Sequence, residues 1–187
     1  MSRAASVKRL VLVYGEKNDG TDGSISIDEH CGLHTINHVH ALLHLGKIFV
    51  AGALWPATLN SNDTLELLFV SGNKAAHIVS EVVGDGAYNV ELFEGATTSN
   101  DGASVTIFNK NRDSANTAVA TVFQVPTVTV DGTALPPIHS PGSNQFGMVT
   151  RDSEEWKLSP STKYLLRITS KSASNEGSYR WLWYEDE

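Results

Sequence analysis

Lys163-Tyr-Leu-Leu-Arg-Ile-Thr169 puts Tyr164, Leu166 and Ile168 on one side of an extended chain, because side chains alternate faces along a strand. Tyr88-Asn-Val-Glu-Leu92 repeats the pattern, with Tyr88, Val90 and Leu92 facing a core and Asn89 and Glu91 facing water. In Ser178 to Tyr184, the set Tyr179, Trp181 and Trp183 opposes Arg180, Leu182 and Tyr184, so this strand is expected to be covered on both sides. A period of two, not 3.6, is the strand signature.

Outward from these stretches the same rhythm recurs. Strands are expected over Val7 to Tyr14, Leu65 to Val70, His77 to Val83, Ala87 to Phe93, Ser104 to Phe108, Val119 to Val130 and Trp156 to Leu158. Gly15 to Gly23 reads as the loop ending the first. Ile36 to Trp55 reads as two strands broken at Gly46 and Gly52, although Ile36, Val39, His40 and Leu43 would also line a helix within His34 to Leu45. Ser71-Gly-Asn73 and Gly84-Asp-Gly86 carry hairpin-closing turn chemistry. Asp131 to Thr150 holds three of the six prolines and reads as one long surface loop. About ten short strands without a strong helix predict an all-β protein: an antiparallel, jelly-roll-like β-sandwich. An extended N-terminal arm and first strand would occupy residues 1–35 and the sandwich residues 36–187.

The 187 residues suffice for one domain with a real core, and 41% hydrophobic with 19% charged residues is globular composition. A net charge of −7 argues against nucleic acid, whose phosphates need a basic face. The single cysteine, Cys31, allows no intrachain disulfide and fits synthesis in a reducing cytoplasm. The apolar run after the basic start, Leu10 to Val13, is shorter than a signal peptide or a membrane helix of about 20 residues requires, so no membrane association is expected.

Five of the seven histidines crowd one stretch: His30, His34, His38, His40 and His44, beside Asp28, Glu29 and Cys31. Metal binding needs three or four converging ligands, and neither CxxC pairs nor HExxH occurs, so hydrogen bonding or strand packing is the preferred reading. Cys31 with His34 lacks any cysteine-hydrolase signature. Glu154-Glu155 and Glu185-Asp186 are adjacent carboxylates, read as solvated, whereas acid–base pairs work across a cleft. Phosphate-cradling, nucleophile-elbow and EF-hand motifs do not occur. Trp181, Trp183 and Tyr184 suit core or interface packing better than a sugar platform. No catalytic, cofactor-binding or metal-binding residue is predicted, and the chain is read as non-enzymatic.

Several stretches carry a resemblance. From Leu65 onward, Tyr88-Asn-Val-Glu-Leu-Phe-Glu-Gly95, Phe108-Asn-Lys-Asn-Arg-Asp-Ser114, Glu154-Glu-Trp-Lys-Leu-Ser-Pro-Ser-Thr-Lys-Tyr164 and Trp183-Tyr-Glu185 resemble, in order and spacing, a family of small virion proteins of tailed phages. That family shows an LYEG strand, an NRNS turn, an EWILKPNTKYL hairpin and a terminal WYE. Upstream, His40-Ala-Leu-Leu-His44-Leu-Gly46-Lys-Ile-Phe49 is similar to a histidine-rich segment preceding the family's first sandwich strand. The chain departs at Arg112-Asp-Ser114, where an Asn is usual, and at Leu158-Ser-Pro160, where Leu-Lys-Pro is usual. The resemblance implies a β-sandwich capsid decoration (cement) protein on the virion surface, made in the host cytoplasm. Its partners would be the major capsid protein and further copies of itself, a trimer suiting quasi-threefold positions, gripped through residues 1–17 or the Asp131 to Thr150 loop. The alternative is a glycan-binding, host-recognition module of a head or tail fibre.

Overall fold

The computed structural model describes residues 14–16, 22–24, 38–141 and 155–186. The chain divides into two compact units, Met1–His40 and Ala41–Glu187. In the first, strand β1 (Tyr14–Glu16) pairs antiparallel with β2 (Asp22–Ser24), matching Tyr14 to Ser24 and Glu16 to Asp22. Both ends of the expected Gly15 to Gly23 loop are therefore strand; the first expected strand, up to Val13, lies outside the described residues.

Helix α1 (His38–His44) replaces the first of the two strands expected over Ile36 to Trp55. It stops at Gly46, whose φ of 65° is the left-handed conformation glycine adopts without a Cβ clash. Lys47 N–H donates to Leu42 O at 2.9 Å and Gly46 N–H to Leu43 O at 3.0 Å. This Schellman pair satisfies carbonyls the helix end would otherwise orphan. Strand β3 (Ile48–Leu54) begins immediately after.

The remaining strands build two antiparallel sheets and a two-stranded layer. Strands β4 (Thr64–Val70), β5 (Ala76–Gly84) and β6 (Tyr88–Glu94) are followed by β7 (Thr97–Asn100), β8 (Ala103–Ser104), β9 (Ile107–Asn109) and β10 (Thr121–Gln124). Next come β11 (Thr127–Val130), β12 (Thr133–Ala134), β13 (Ile138–Ser140), β14 (Trp156–Leu158), β15 (Lys163–Ser170) and β16 (Gly177–Glu185). One sheet runs β12-β6-β15-β4-β10-β8, with β13 also on β6; the other runs β14-β5-β16-β3-β9. Among the described strands from β3 onward, none pairs with its neighbour in sequence.

Several expectations change accordingly. Ser71-Gly-Asn73 and Gly84-Asp-Gly86 do not close hairpins: β4, β5 and β6 alternate between sheets, so these turns arch across the sandwich. The expected strand Val119 to Val130 breaks at Val125, where φ is 56°, and at Pro126, which lacks the N–H a ladder needs. The first half of the Asp131 to Thr150 loop is instead edge structure. Strands β12 and β13 pair with β6 there, and Pro136 and Pro137 lie between them, at a sheet edge where proline is tolerated. Residues 142–150 lie outside the described part.

The sheets pack through the alternating residues. Tyr88, Leu65, Leu67, Phe69, Tyr164, Leu166 and Ile168 of one meet Phe49, Ala51, Ile78, Tyr179, Trp181 and Trp183 of the other in one core. Val90 and Leu92 pack against it. The Phe69 ring stands edge-on to Trp181 and Trp183, with centroids 5.7 and 5.3 Å away, the geometry ring quadrupoles favour. The two C-terminal strands occupy central positions: β15 lies between β6 and β4, and β16 between β5 and β3.

The outer face of the first sheet is roofed by β7 paired with β11. Phe93, Ala96 and Leu165 are buried there with Val128 against them. Each roof strand runs into an Asp-Gly pair, and each Asp grips a cation on β15: Asp101 meets Lys163 at 2.5 Å, and Asp131 meets Arg167 at 2.8 Å. Gly102 and Gly132 adopt φ of 92° and 93°, and a Cβ on either would stand 2.3 or 2.2 Å from a backbone oxygen. Only glycine fits these bends.

The Lys163 and Thr98 bonds hold the Asp101 carboxyl below its ordinary value, and the Arg167 bond does the same for Asp131. A depressed folded-state value contributes stability that is present above the ordinary carboxyl value of about 4 and lost as pH falls below it. Relative to their intrinsic exchange rates, amides of β7 and β11 are therefore expected to be less protected at pH 3 than at pH 6, while those of β15 stay protected. Asp131→Asn should flatten this dependence, and uniform loosening of roof and body would contradict it.

Candidate functional site

The stretches singled out in the sequence meet pairwise in space. Asn109 Nδ2 donates to Gly46 O at 2.8 Å and Asn111 Nδ2 to His44 O at 2.9 Å, so the Phe108–Ser114 turn caps the helix of the histidine-rich segment. Asn116 Nδ2 adds a bond to Leu45 O at 3.1 Å. Tyr164 Oη donates to Glu94 Oε1 at 2.7 Å and accepts from Ser159 N–H at 2.8 Å, joining the third stretch to the first. Burial, together with the Glu94 bond, raises the Tyr164 hydroxyl above its ordinary value and keeps it a donor. Tyr184 Oη donates to Glu155 at 3.0 Å, joining the fourth stretch to the third.

Asn109→Ala removes donors from two carbonyls and an acceptor from the Asn111 amide. It is expected to cost about 1–2 kcal/mol, with amides of residues 45–47 exchanging first. Unchanged exchange there would mean that the turn does not hold the helix end.

Of the candidate ligands, His38, His40 and His44 lie on α1, so packing along a strand does not apply to these three. His40 and His44 are exposed and one turn apart. His30, His34, Cys31, Asp28, Glu29 and Glu154 lie outside the described residues. Among the described residues no three His, Cys, Asp or Glu side chains gather as a metal site would require.

The expected solvation of Glu185-Asp186 does not hold. Glu185 accepts the Val119 and Ala120 amides at 3.0 Å each and the Trp183 indole N–H at 3.2 Å. Asp186 accepts from Lys157 at 2.7 Å and faces His77 Nε2 at 3.2 Å; the Lys157 bond holds its carboxyl low. Glu155 meets His77 Nδ1 at 2.8 Å, and the His77 ring stacks on Tyr184 at 4.5 Å. His77, outside the histidine-rich stretch, thus acquires carboxylate partners. Its partners lie 78 and 109 positions away in sequence, so no local spacing signals it. With a carboxylate at each ring nitrogen, the arrangement ties the edge strand β14 to the end of β16 and leaves neither nitrogen for a substrate.

Trp181 and Trp183 are 1% and 0% exposed, so they belong to the core, as their spacing suggested. Outward on the five-stranded sheet, a shallow groove of about 440 Å³ is lined by Val50, Gly52, Glu81, Val83, Phe108 and Arg180. Phe108 is 49% exposed, with the Arg112 guanidinium 5.5 Å from its ring centre; Leu54 nearby along β3 is 77% exposed. Arg180 Nε donates to Glu81 at 2.8 Å across the floor. Among the described residues no strand covers this sheet face, in contrast with the roofed face of the other sheet. Compared with known proteins, the chain matches no family model, no curated protein and no solved structure.

Proposed function

We propose that the chain is a structural component of a tailed-phage particle, a decoration (cement) protein that binds and stabilises the head shell. The observation that carries this reading is the pairing of its recognisable stretches: histidine-rich segment with the Phe108–Ser114 turn, Tyr164 with Glu94, and Tyr184 with Glu155. That these stretches close one another's hydrogen bonds supports reading the resemblance as one to a single body rather than to separate fragments.

The strand order supports the same reading. We read β3-β16-β5-β14 over β4-β15-β6-β13 as jelly-roll connectivity, a double Greek key frequent in capsid domains. Fold alone never fixes function; here it agrees with a reading reached from residues. A decoration subunit acts by mass action: binding the assembled shell and not its dissociated subunits shifts the equilibrium toward assembly. Partners would be the major capsid protein and neighbouring copies of the chain, on the outside of the particle.

The glycan-binding alternative needs aromatic faces side by side. Phe108 and Trp156, the two exposed aromatics among the described residues, sit on opposite edges of a five-stranded sheet, about 19 Å apart at ordinary strand spacing. That is too far for one stacking platform. Imaging the intact particle tests the proposal: density of this sandwich on the head is expected, and its location on tail fibres would overturn it.

A further inference from the structure

We propose that the open outer face of the five-stranded sheet is the surface that grips the shell, with Phe108 and Leu54 bracketing a groove that takes an uncharged, apolar segment of the shell protein. This rests on the decoration reading above and adds to it the contact surface and the chemistry of its occupant.

Three observations select that occupant. The first is charge. The chain carries −7 overall, but the charged residues lining this groove, Arg180 and Glu81, neutralise each other through two donors of the same guanidinium, and the neighbouring Arg112 guanidinium is engaged over the ring of Phe108. A charged segment would have to separate that pair, whereas an apolar one lies over it. The second is relief. Arg180 stands opposite both Gly52 and Glu81 in the ladder, and a Cβ at Gly52 would meet Tyr179 O at 2.5 Å. The glycine therefore lets β3 and β16 approach closely and leaves a notch at the centre of the floor. Phe108 forms one wall, opposite Val50 on β3; Leu54, opposite Ser178, lies at the far end.

The third is size. Three strands of five residues and the three-residue β9, about 4.8 Å apart with about 3.4 Å per residue, offer roughly 290 Å². A stable pairing of two free proteins needs about 800 Å² from each partner. A second copy of this acidic chain, docked face to face, would bury too little to overcome the repulsion. A shell differs because it presents the same segment many times, and linked weak contacts gain strength through effective concentration. Apolar contact at the centre with mutually neutralised charge beneath it is the anatomy such a contact needs.

The test uses the full chain and empty shells of the phage that encodes it. Leu54→Glu with Phe108→Glu places two carboxylates on the face; both sites are exposed, so the melting temperature should stay within a few degrees. The wild type is expected to co-sediment with shells, and the double variant to bind at least tenfold more weakly, with the mass of the free chain in solution unchanged. Should the double variant fold poorly, Leu54→Ser and Phe108→Ser separately should each weaken binding in the same direction. Equal binding by the wild type and all variants would leave the decoration reading standing and remove this surface from it. A wild type that ignores shells would overturn both. A fall in solution mass on substitution would show that the face joins copies of the chain instead, and would overturn the assignment to the shell.

Discussion

Trp183→Ala is expected to lower unfolding free energy by about 3–5 kcal/mol, the range for truncating a fully buried aromatic residue. Trp183 is 0% exposed and lies on β16, the strand between β5 and β3. Its ring packs edge-on to Phe69 at 5.3 Å and tilted against Phe49 at 5.9 Å. The cavity would open between the two sheets, where Phe69 and Phe49 are fixed by their own strands and cannot both relax into it. The indole N–H also bonds Glu185 Oε1, the same oxygen that holds the Val119 and Ala120 amides at the start of β10. Domains of this kind are stable by about 5–15 kcal/mol, so the loss brings the chain close to its unfolding threshold. Trp156→Ala, at a 40% exposed position on an edge strand, should cost well under half as much. Equal shifts in denaturant midpoint for the two variants, at unchanged m-value, would sink the account of β16 as the centre of the core.

What the sequence made legible is what depends on period two. The inward sets Tyr88, Val90, Leu92 and Tyr164, Leu166, Ile168 all join or pack against the core, because alternation is a local property and burial of one face follows from it. Pairing is not local. Gly84-Asp-Gly86 carries the same residues whether it folds a strand back on its neighbour or arches to another sheet, and only the distant central strands, β16 for β5 and β15 for β6, decide. The weak strands β7, β12 and β13, drawn from Thr-Thr-Ser-Asn, Thr-Ala and Ile-His-Ser, were illegible because their stability comes from the sheet edge or partner they join. Helix α1 was ambiguous for a related reason. Its pattern fits both structures, and the deciding contacts come from Asn109, Asn111 and Asn116, more than 60 residues downstream. The clustered histidines drew attention by composition, while His77 acquired its partners only through the fold.

Arg167→Met tests the charge arrangement on the roofed face. Arg167 stands opposite Glu66 on one neighbouring strand and Glu91 on the other. It donates to Glu66 at 2.8 Å and, through both terminal nitrogens, to Asp131 at 2.8 Å each. Its guanidinium also lies 5.0 Å from the Phe93 ring centre. Methionine preserves much of the apolar stem but leaves carboxylates facing one another across adjacent strands, where like charges repel. Breaking a fully buried pair costs about 3–5 kcal/mol; with Arg167 and Glu66 each 21% exposed and Asp131 43%, solvent screening reduces this to about 2 kcal/mol. Lysine should recover only part of the loss, since a point charge cannot serve Glu66 and Asp131 with the fixed fork of a guanidinium. The pH dependence separates this cause from lost packing. Arg167 is what holds the Asp131 carboxyl below its ordinary value, so the stability it confers is present above about pH 4 and fades as Asp131 protonates. The gap between wild type and Arg167→Met is thus expected to be full at pH 7 and to narrow as pH falls below 4. A gap of constant size from pH 7 to pH 3 would mean that Arg167 contributes through its contact with Phe93 and not through its charge.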